Sequence, residues 1–259
     1  MSPRQRKRRN NEARMTLVEH LLELRTRLVR ATIALLITTV ISIAFTSRLI
    51  KLLIKPMAGK HPVALHPTET IIIYFKVALI SGLVLAMPVI IYELLMFVMP
   101  GLTPKERRIV KIVVPAASLL FLIGVLFAAF VMLPFAIKYL EGFLASTITP
   151  TYSIDKYISF VTTVMFWMGV VFETPLIIAF LAWAGVISPK QLSSGRRYAI
   201  VLIAIIAAVI TPTPDPVNMT IVMVPLLLLY EIGVILAKIT YRERIGKSTQ
   251  LVGSEESGE

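Results

Sequence analysis

Residues 112–137 read IVVPAASLLFLIGVLFAAFVMLPFAI, a run without a charged side chain. A helix needs roughly 20 apolar residues to cross about 30 Å of hydrocarbon, so this run is long enough to span a bilayer. The same character extends along the chain, since 56% of its 259 residues are hydrophobic and only 16% are charged. Soluble domains carry about 25% charged residues. We therefore predict an all-α integral membrane protein.

Hydrophobic segments recur along the chain and predict six membrane-spanning helices. They cover residues 31–45, 71–98, 109–137, 157–184, 198–210 and 219–237. Kinks are expected in the three longest segments because proline lacks the backbone donor that a helix needs; these prolines are Pro88, Pro115, Pro134 and Pro175. The fifth segment covers only about 20 Å. We expect the bilayer beside it to thin, or neighbouring helices to shield it.

The flanking regions differ from the hydrophobic segments in composition. We predict a basic disordered tail over residues 1–14, a six-helix membrane domain over residues 15–240, and a polar disordered tail over residues 241–259. Between the first two segments, residues 49–55 predict an amphipathic helix at the membrane interface. The last two segments form a hairpin closed by the proline-rich turn 211–216.

Lys and Arg residues predict the orientation. Most of those outside the segments lie in residues 1–30, 105–111, 190–197 and 238–247, which six spans place on one face of the membrane. The positive-inside rule makes that face cytoplasmic. We therefore predict a multi-pass protein of the cell membrane with both termini in the cytoplasm. The net charge of +12 then indicates contact with anionic lipid rather than nucleic acid.

Several kinds of chemistry have no support in the sequence. The chain has no cysteine, and it contains no nucleotide-binding loop or hydrolase motif. The histidines, His20, His61 and His66, lack the spacing of metal ligands. We predict no enzyme activity, no metal and no cofactor.

Two carboxylates on the cytoplasmic side are candidate binding groups. Glu23 has Arg27 one helical turn later, so it forms either a surface ion pair or an acceptor for a cationic partner. Glu106 follows Thr103 and Pro104 in a pattern that favours a capping box at the start of the third segment. A capping role and a binding role are both open for Glu106.

Other acidic residues differ in their depth. Glu173 lies well inside the fourth segment, where a charge is costly, and it is either a functional group or a protonated brace for the Pro175 kink. Glu93 and Glu231 lie nearer the inner ends of their segments, where access to headgroups favours a structural role. Asp215 precedes Pro216 and predicts the N-cap of the last helix.

Seven short motifs together resemble the TatC family, the receptor subunit of the twin-arginine protein translocase. They occur in family order over about residues 15–240, and in combination they are highly specific. The motifs are HLLELRTRL (20–28), MPVIIY (87–92, continuing to Phe97), PGLTPKERR (100–108), FETP (172–175), RY (197–198), TPTPD (211–215) and LYEIG (229–233). Many members have glutamine where this chain has Glu93.

The resemblance implies a glove-shaped six-helix bundle that binds twin-arginine signal peptides and passes folded proteins outward, driven by the proton-motive force. It implies TatA-type and TatB-type single-span partners and a homo-oligomer within the complex. By position, Glu23 and Glu106 match the carboxylates that bind the arginine pair, and Arg25 and Phe97 lie in the same recognition region. Three further residues match family positions: Glu173 matches the polar intramembrane residue, Pro56 the proline of the first outer loop and Asp215 the acid of the last outer turn.

Two other functions are open on the residues alone. A secondary transporter would use Glu173 as its proton or ion site, and inverted repeats or paired broken helices would favour it; neither is visible in the sequence. An intramembrane enzyme would need a catalytic group within the spans, but Asp155 and Asp215 lie outside them. Solute transport by the purified chain alone in liposomes would identify the transporter.

Overall fold

The described residues fold mainly into α-helices. The computed structural model describes residues 17–57, 62–98, 107–143, 151–211 and 215–256. Its α-helices are α1 (Leu17–Ile43), α2 (Thr46–Ile54), α3 (Glu69–Val98), α4 (Arg107–Phe127), α5 (Leu133–Gly142), α6 (Ile154–Phe172), α7 (Thr174–Ala184), α8 (Pro189–Ser194), α9 (Arg196–Ile210) and α10 (Pro216–Glu256). The all-helical prediction is confirmed.

Within the described residues, five stretches are long and apolar enough to cross a membrane. They are Val18–Ile43, Glu69–Val98, Val110–Gly142, Ile154–Ala184 and Pro216–Tyr241. The remaining hydrophobic segment, residues 198–210, lies in α9, which has 15 residues. At 1.5 Å per residue, α9 is about 22 Å long and does not match the hydrocarbon thickness by itself. Each of the six predicted hydrophobic segments thus lies mainly in helix, and five of them belong to stretches with the length of a span.

Two of the long stretches change geometry next to a proline. Between α4 and α5 the chain forms a π-helix over Ala128–Met132, and Pro134 follows at the start of α5. Pro134 cannot donate to the carbonyl four residues earlier, which accounts for the local change in hydrogen bonding. Between α6 and α7 the helix breaks at Glu173, two residues before Pro175. Pro88 and Pro115, in contrast, lie inside continuous helices.

The first compact unit comprises residues 1–50 and 71–119. Within it, α1 and α3 approach each other closely at Gly82, whose carbonyl accepts a hydrogen bond of 2.8 Å from the Thr38 hydroxyl. The Tyr74 hydroxyl of α3 donates to the Ile43 carbonyl at the end of α1, at 2.9 Å. These contacts join α1 and α3 along their length.

The second compact unit comprises residues 51–70 and 120–259. Its core contains the fully buried side chains of Ile158 and Met168 on α6. The buried Tyr157 hydroxyl donates to the Leu53 carbonyl at 2.7 Å and fixes the end of α2 to α6. At Gly233 of α10, a Cβ would lie 2.8 Å from Ile178, so glycine permits the close contact between α10 and α7.

Several local predictions agree with these helices. Helix α2, followed by a 3-10 turn at Lys55–Met57, contains the predicted interfacial segment. A capping box forms between Ser188 and Gln191 at the start of α8. The predicted box at Thr103 lies outside the described residues. Helix α10 continues to Glu256, so the polar C-terminal segment begins within a helix rather than after one.

Candidate functional site

An ion cluster joins α1 to α3 at the ends where α1 begins and α3 finishes. Arg27 Nε and Nη2 donate to Glu23 Oε1 at 3.0 and 2.6 Å, and Arg27 Nη1 donates to Glu93 Oε2 at 2.8 Å. The exposed fraction is 14% for the Arg27 side chain, 18% for Glu23 and 8% for Glu93. The predicted Glu23–Arg27 pair is therefore present, but it is largely enclosed and contains a third member.

Two arginines lie beside the two carboxylates, but only one of them is enclosed. Two carboxylates share the single enclosed guanidinium of Arg27, and Arg30, which is mostly exposed, reaches Glu93 only at 3.9 Å. Glu23 Oε2 is buried and has no hydrogen-bond partner among the described residues. A buried carboxylate oxygen without a donor is unfavourable, so this atom is suited to accept a further N–H group.

Two aromatic rings lie beside the cluster on the same helices. His20 of α1 stacks on Phe97 of α3 with ring centroids 4.4 Å apart and an interplanar angle of 15°. His20 precedes Glu23 by one turn, and Phe97 follows Glu93 by one turn, so both pairs lie on the same helix faces. Of the predicted recognition residues, Glu23 and Phe97 thus belong to one site. Arg25 lies on α1 with its side chain exposed and outside the enclosed cluster.

Glu106, the second predicted carboxylate, lies outside the described residues, as do Thr103 and Pro104. Helix α4 begins one residue later, at Arg107. The choice between a capping and a binding role for Glu106 therefore stays a prediction.

For Glu93 the sequence predicts a structural role and access to lipid headgroups, and the prediction of headgroup access is wrong. The residue is 6% exposed and its carboxylate binds Arg27. The sequence did contain a signal for this pair. Two consecutive hydrophobic segments joined by one loop run in opposite directions, so a cation at the start of the first and an anion at the end of the second lie at similar depth. Glu231, in contrast, is 46% exposed and pairs with Arg196 at 2.8 Å.

Glu173 lies at the break between α6 and α7, within the second unit. Its Oε1 atom is buried and has no hydrogen-bond partner among the described residues. Nearby, Gly124 allows α4 to approach this region, since a Cβ there would lie 2.6 Å from the Met168 carbonyl and 2.8 Å from the Phe172 ring. The structure thus places Glu173 at the kink that Pro175 predicts, within a closely packed part of the protein.

The two predicted outer-loop residues have structural roles at helix ends. Pro56 is half-buried in the 3-10 turn Lys55–Met57, next to Met57, which is 1% exposed. Asp215 caps α10, because its Oδ1 accepts from the Asn218 backbone N–H at 2.7 Å and its Oδ2 from the Asn218 side chain at 2.8 Å. The predicted N-cap is confirmed.

Comparison with known proteins gives consistent results over almost the whole chain. The profile of the family described as Sec-independent protein translocase protein (TatC) matches residues 19–225. The chain is 40% identical over 236 residues to the Sec-independent protein translocase protein TatC of Aquifex aeolicus, covering 89% of this chain and 98% of that protein. It is 34% identical to the Carboxydothermus hydrogenoformans protein of the same name, covering 86% and 93%. A crystal structure of the twin-arginine translocase receptor TatC in DDM superimposes with a TM-score of 0.77 at 40% identity, covering 85% of this chain and 99% of that one.

Proposed function

Because the chain belongs to the TatC family and is a multi-pass membrane component of a Sec-independent protein translocase, we propose that it is the receptor for twin-arginine signal peptides of folded precursor proteins. In this proposal Glu23 and Glu106 each accept one arginine of the peptide on the cytoplasmic face, with Phe97 and Arg25 in the same recognition region. Binding nucleates a complex with TatA-type and TatB-type single-span subunits and further copies of this chain. The proton-motive force then drives translocation.

The observation that carries the proposal is the buried Oε2 atom of Glu23, which has no hydrogen-bond partner within the described part of the chain. An arginine guanidinium has five donors in a planar fork and can supply the missing hydrogen bond with its opposite charge. Lysine supplies the charge without the fork. The enclosed part of the cluster has two carboxylates, Glu23 and Glu93, for the one guanidinium of Arg27, which also favours a cationic ligand over an anionic one.

The proposal includes an orientation and a role for Glu173. The clustering of Lys and Arg on one side supports six membrane crossings with both termini in the cytoplasm of the cell. The short α9 then crosses where neighbouring helices shield it or the bilayer is thin. Glu173 is proposed as a polar group that acts during translocation, because one buried oxygen of its carboxyl group lacks a hydrogen-bond partner among the described residues, which is unfavourable for a residue with only a structural role.

Crosslinking of a twin-arginine precursor to the receptor in membranes tests the binding site. Glu23→Gln and Glu106→Gln should each weaken crosslinking by roughly one to two orders of magnitude, the value of one charge-assisted hydrogen bond. Glutamine keeps the shape of the side chain and, at position 106, can still close a capping box with Thr103. A purely structural role therefore predicts little loss for Glu106→Gln.

Two controls make the experiment specific. Glu231→Gln removes an exposed carboxylate that also pairs with an arginine, and it should bind the precursor normally. A precursor whose arginines are changed to lysines should crosslink weakly to the unmodified receptor, because the charge is unchanged and only the fork is lost. Normal crosslinking of both Glu23→Gln and Glu106→Gln, at equal receptor levels, would refute the site.

A further inference from the structure

The guanidinium of Arg27 is bound to Glu23, the carboxylate that the proposed function assigns to an arginine of the signal peptide. All three of its nitrogen atoms are engaged, two with Glu23 Oε1 and one with Glu93 Oε2. A peptide arginine that approaches Glu23 therefore meets an internal arginine already bound there. The two cations must share the carboxylate or compete for it.

We propose that Arg27 is a placeholder for the signal-peptide arginine, and that Glu93 is the positioning residue that retains Arg27 when the peptide takes over Glu23. This inference rests on the proposed function. In the empty receptor, Arg27 neutralises Glu23 and keeps the enclosed carboxylate from standing alone. When the peptide binds, Arg27 gives up its bonds to Glu23 and keeps its 2.8 Å bond to Glu93.

Burial makes this retention necessary. The Arg27 side chain is only 14% exposed, so a guanidinium released by Glu23 would not be fully hydrated. Without a second carboxylate, Arg27 would be left as an enclosed charge with no counter-ion, which is strongly unfavourable. With Glu93, which is 8% exposed on its side chain, the released cation stays paired. Glu93 thus lowers the free-energy cost of opening Glu23 to the peptide.

The free Oε2 atom of Glu23 gives the exchange a starting point. Arg27 directs both of its contacts with Glu23 to Oε1, and the buried Oε2 has no donor among the described residues. Once a local movement of the side chains exposes Oε2, a peptide arginine can bind it while Arg27 is still on Oε1, and the transfer then proceeds without a stage at which Glu23 has no cation. Because Arg27 bonds to both Glu23 and Glu93, it can leave Glu23 while it stays bound to Glu93, and this permits the stepwise exchange.

An alternative reading makes the cluster a clamp that only fixes α1 to α3. Both interpretations predict that Glu93→Gln weakens peptide binding. The variants that discriminate between them therefore combine Glu93→Gln with a change of Arg27. If Arg27 competes for Glu23, removing it should restore binding. If the cluster is only a clamp, removing a second member should leave binding as weak or weaker.

The experiment titrates a photoreactive twin-arginine signal peptide against the full-length receptor in membranes. Glu93→Gln should raise the half-saturating peptide concentration by about tenfold or more, since Arg27 then has only Glu23 as a charged partner. The double variant Arg27→Gln, Glu93→Gln should return to the unmodified value or below. Receptor amount and thermal stability in detergent are measured for each variant, and Glu231→Gln is the matched control.

A third variant separates competition by a guanidinium from simple charge balance. Arg27→Lys, Glu93→Gln has the same net charge as Glu93→Gln alone, but lysine cannot hold Glu23 with two N–H groups from one planar fork. Its half-saturating concentration should fall between those of Glu93→Gln and the double glutamine variant. A value equal to that of Glu93→Gln would overturn the placeholder role of Arg27.

Failure of this inference is distinct from failure of the proposed function. If Glu93→Gln binds the peptide like the unmodified receptor while Glu23→Gln and Glu106→Gln lose binding, the placeholder is refuted and the receptor site stands. If the double glutamine variant is as weak as Glu93→Gln at equal stability, the cluster is a clamp. If Glu23→Gln and Glu106→Gln both bind normally, the receptor site and the placeholder are refuted together.

Discussion

Gly82→Ala should separate α1 from α3 and destabilise the first compact unit. Gly82 is buried, and a Cβ built on it would lie 2.5 Å from Thr39 Oγ1, 2.6 Å from Thr39 Cα and 2.8 Å from Thr39 N. Carbon atoms in favourable contact lie about 3.5–4.0 Å apart. Because two of the obstructing atoms belong to the backbone, a side-chain rotation cannot relieve the clash, and the helices must move apart by about 1 Å.

The expected free-energy change follows from three contributions. Overpacking against a backbone costs up to about 3 kcal/mol. Separation also stretches the hydrogen bond from the Thr38 hydroxyl to the Gly82 carbonyl, 2.8 Å in the native structure, which is worth about 1 kcal/mol. Alanine is the better helix former by about 1 kcal/mol. The net destabilisation should therefore be about 3 kcal/mol.

Gly142→Ala is the matched control, because a Cβ at Gly142 meets nothing within 4 Å. We expect it to be neutral or slightly stabilising, while Gly82→Ala lowers the thermal unfolding midpoint in detergent. Gly82→Ala should also weaken precursor crosslinking, since α1 and α3 carry the two halves of the Glu23–Arg27–Glu93 cluster. Equal unfolding midpoints for the two alanine variants would refute the close-approach argument.

Three further outcomes are expected. Glu173→Gln should accumulate and unfold like the unmodified protein because the amide keeps the shape, and Glu173→Leu should impair translocation measured in membrane vesicles; full activity of the leucine variant would remove the functional role. In intact cells, an impermeant thiol reagent should label Thr151→Cys but not Ser254→Cys, and the reverse result would overturn the orientation. Arg196→Ala should change the free energy of unfolding by less than about 1 kcal/mol, because the side chains of Arg196 and Glu231 are 51% and 46% exposed. A larger loss of unfolding free energy would refute the argument from exposure for this ion pair.

The membrane helices could be predicted because their cause is local. An apolar run in lipid must satisfy its backbone hydrogen bonds internally, so the length and composition of residues 71–98 or 109–137 are sufficient to predict a helix. The caps at Ser188 and Asp215 were predictable for the same reason, since each side chain bonds to backbone groups three residues away. Helix α2 likewise follows from its own amphipathic pattern.

The cluster of Glu23, Arg27 and Glu93 was only half predictable. The Glu23–Arg27 pair has helical spacing, and the sequence gives it directly. The contact between Arg27 and Glu93 joins residues 66 positions apart, and it exists because α1 and α3 pack closely enough at Gly82 to bring the two side chains to one depth. The stacking of His20 on Phe97 has the same origin.

The sequence by itself determined the membrane location, the helical segments and the candidate carboxylates, because burial in lipid and hydrogen bonding within a helix depend on neighbouring residues. Only the tertiary structure decided that Glu93 is enclosed, that Arg27 binds two carboxylates and that one oxygen of Glu23 has no partner among the residues that the structure describes. The free energy of an ion depends on every group that surrounds it, and here those groups come from helices that are distant in the chain.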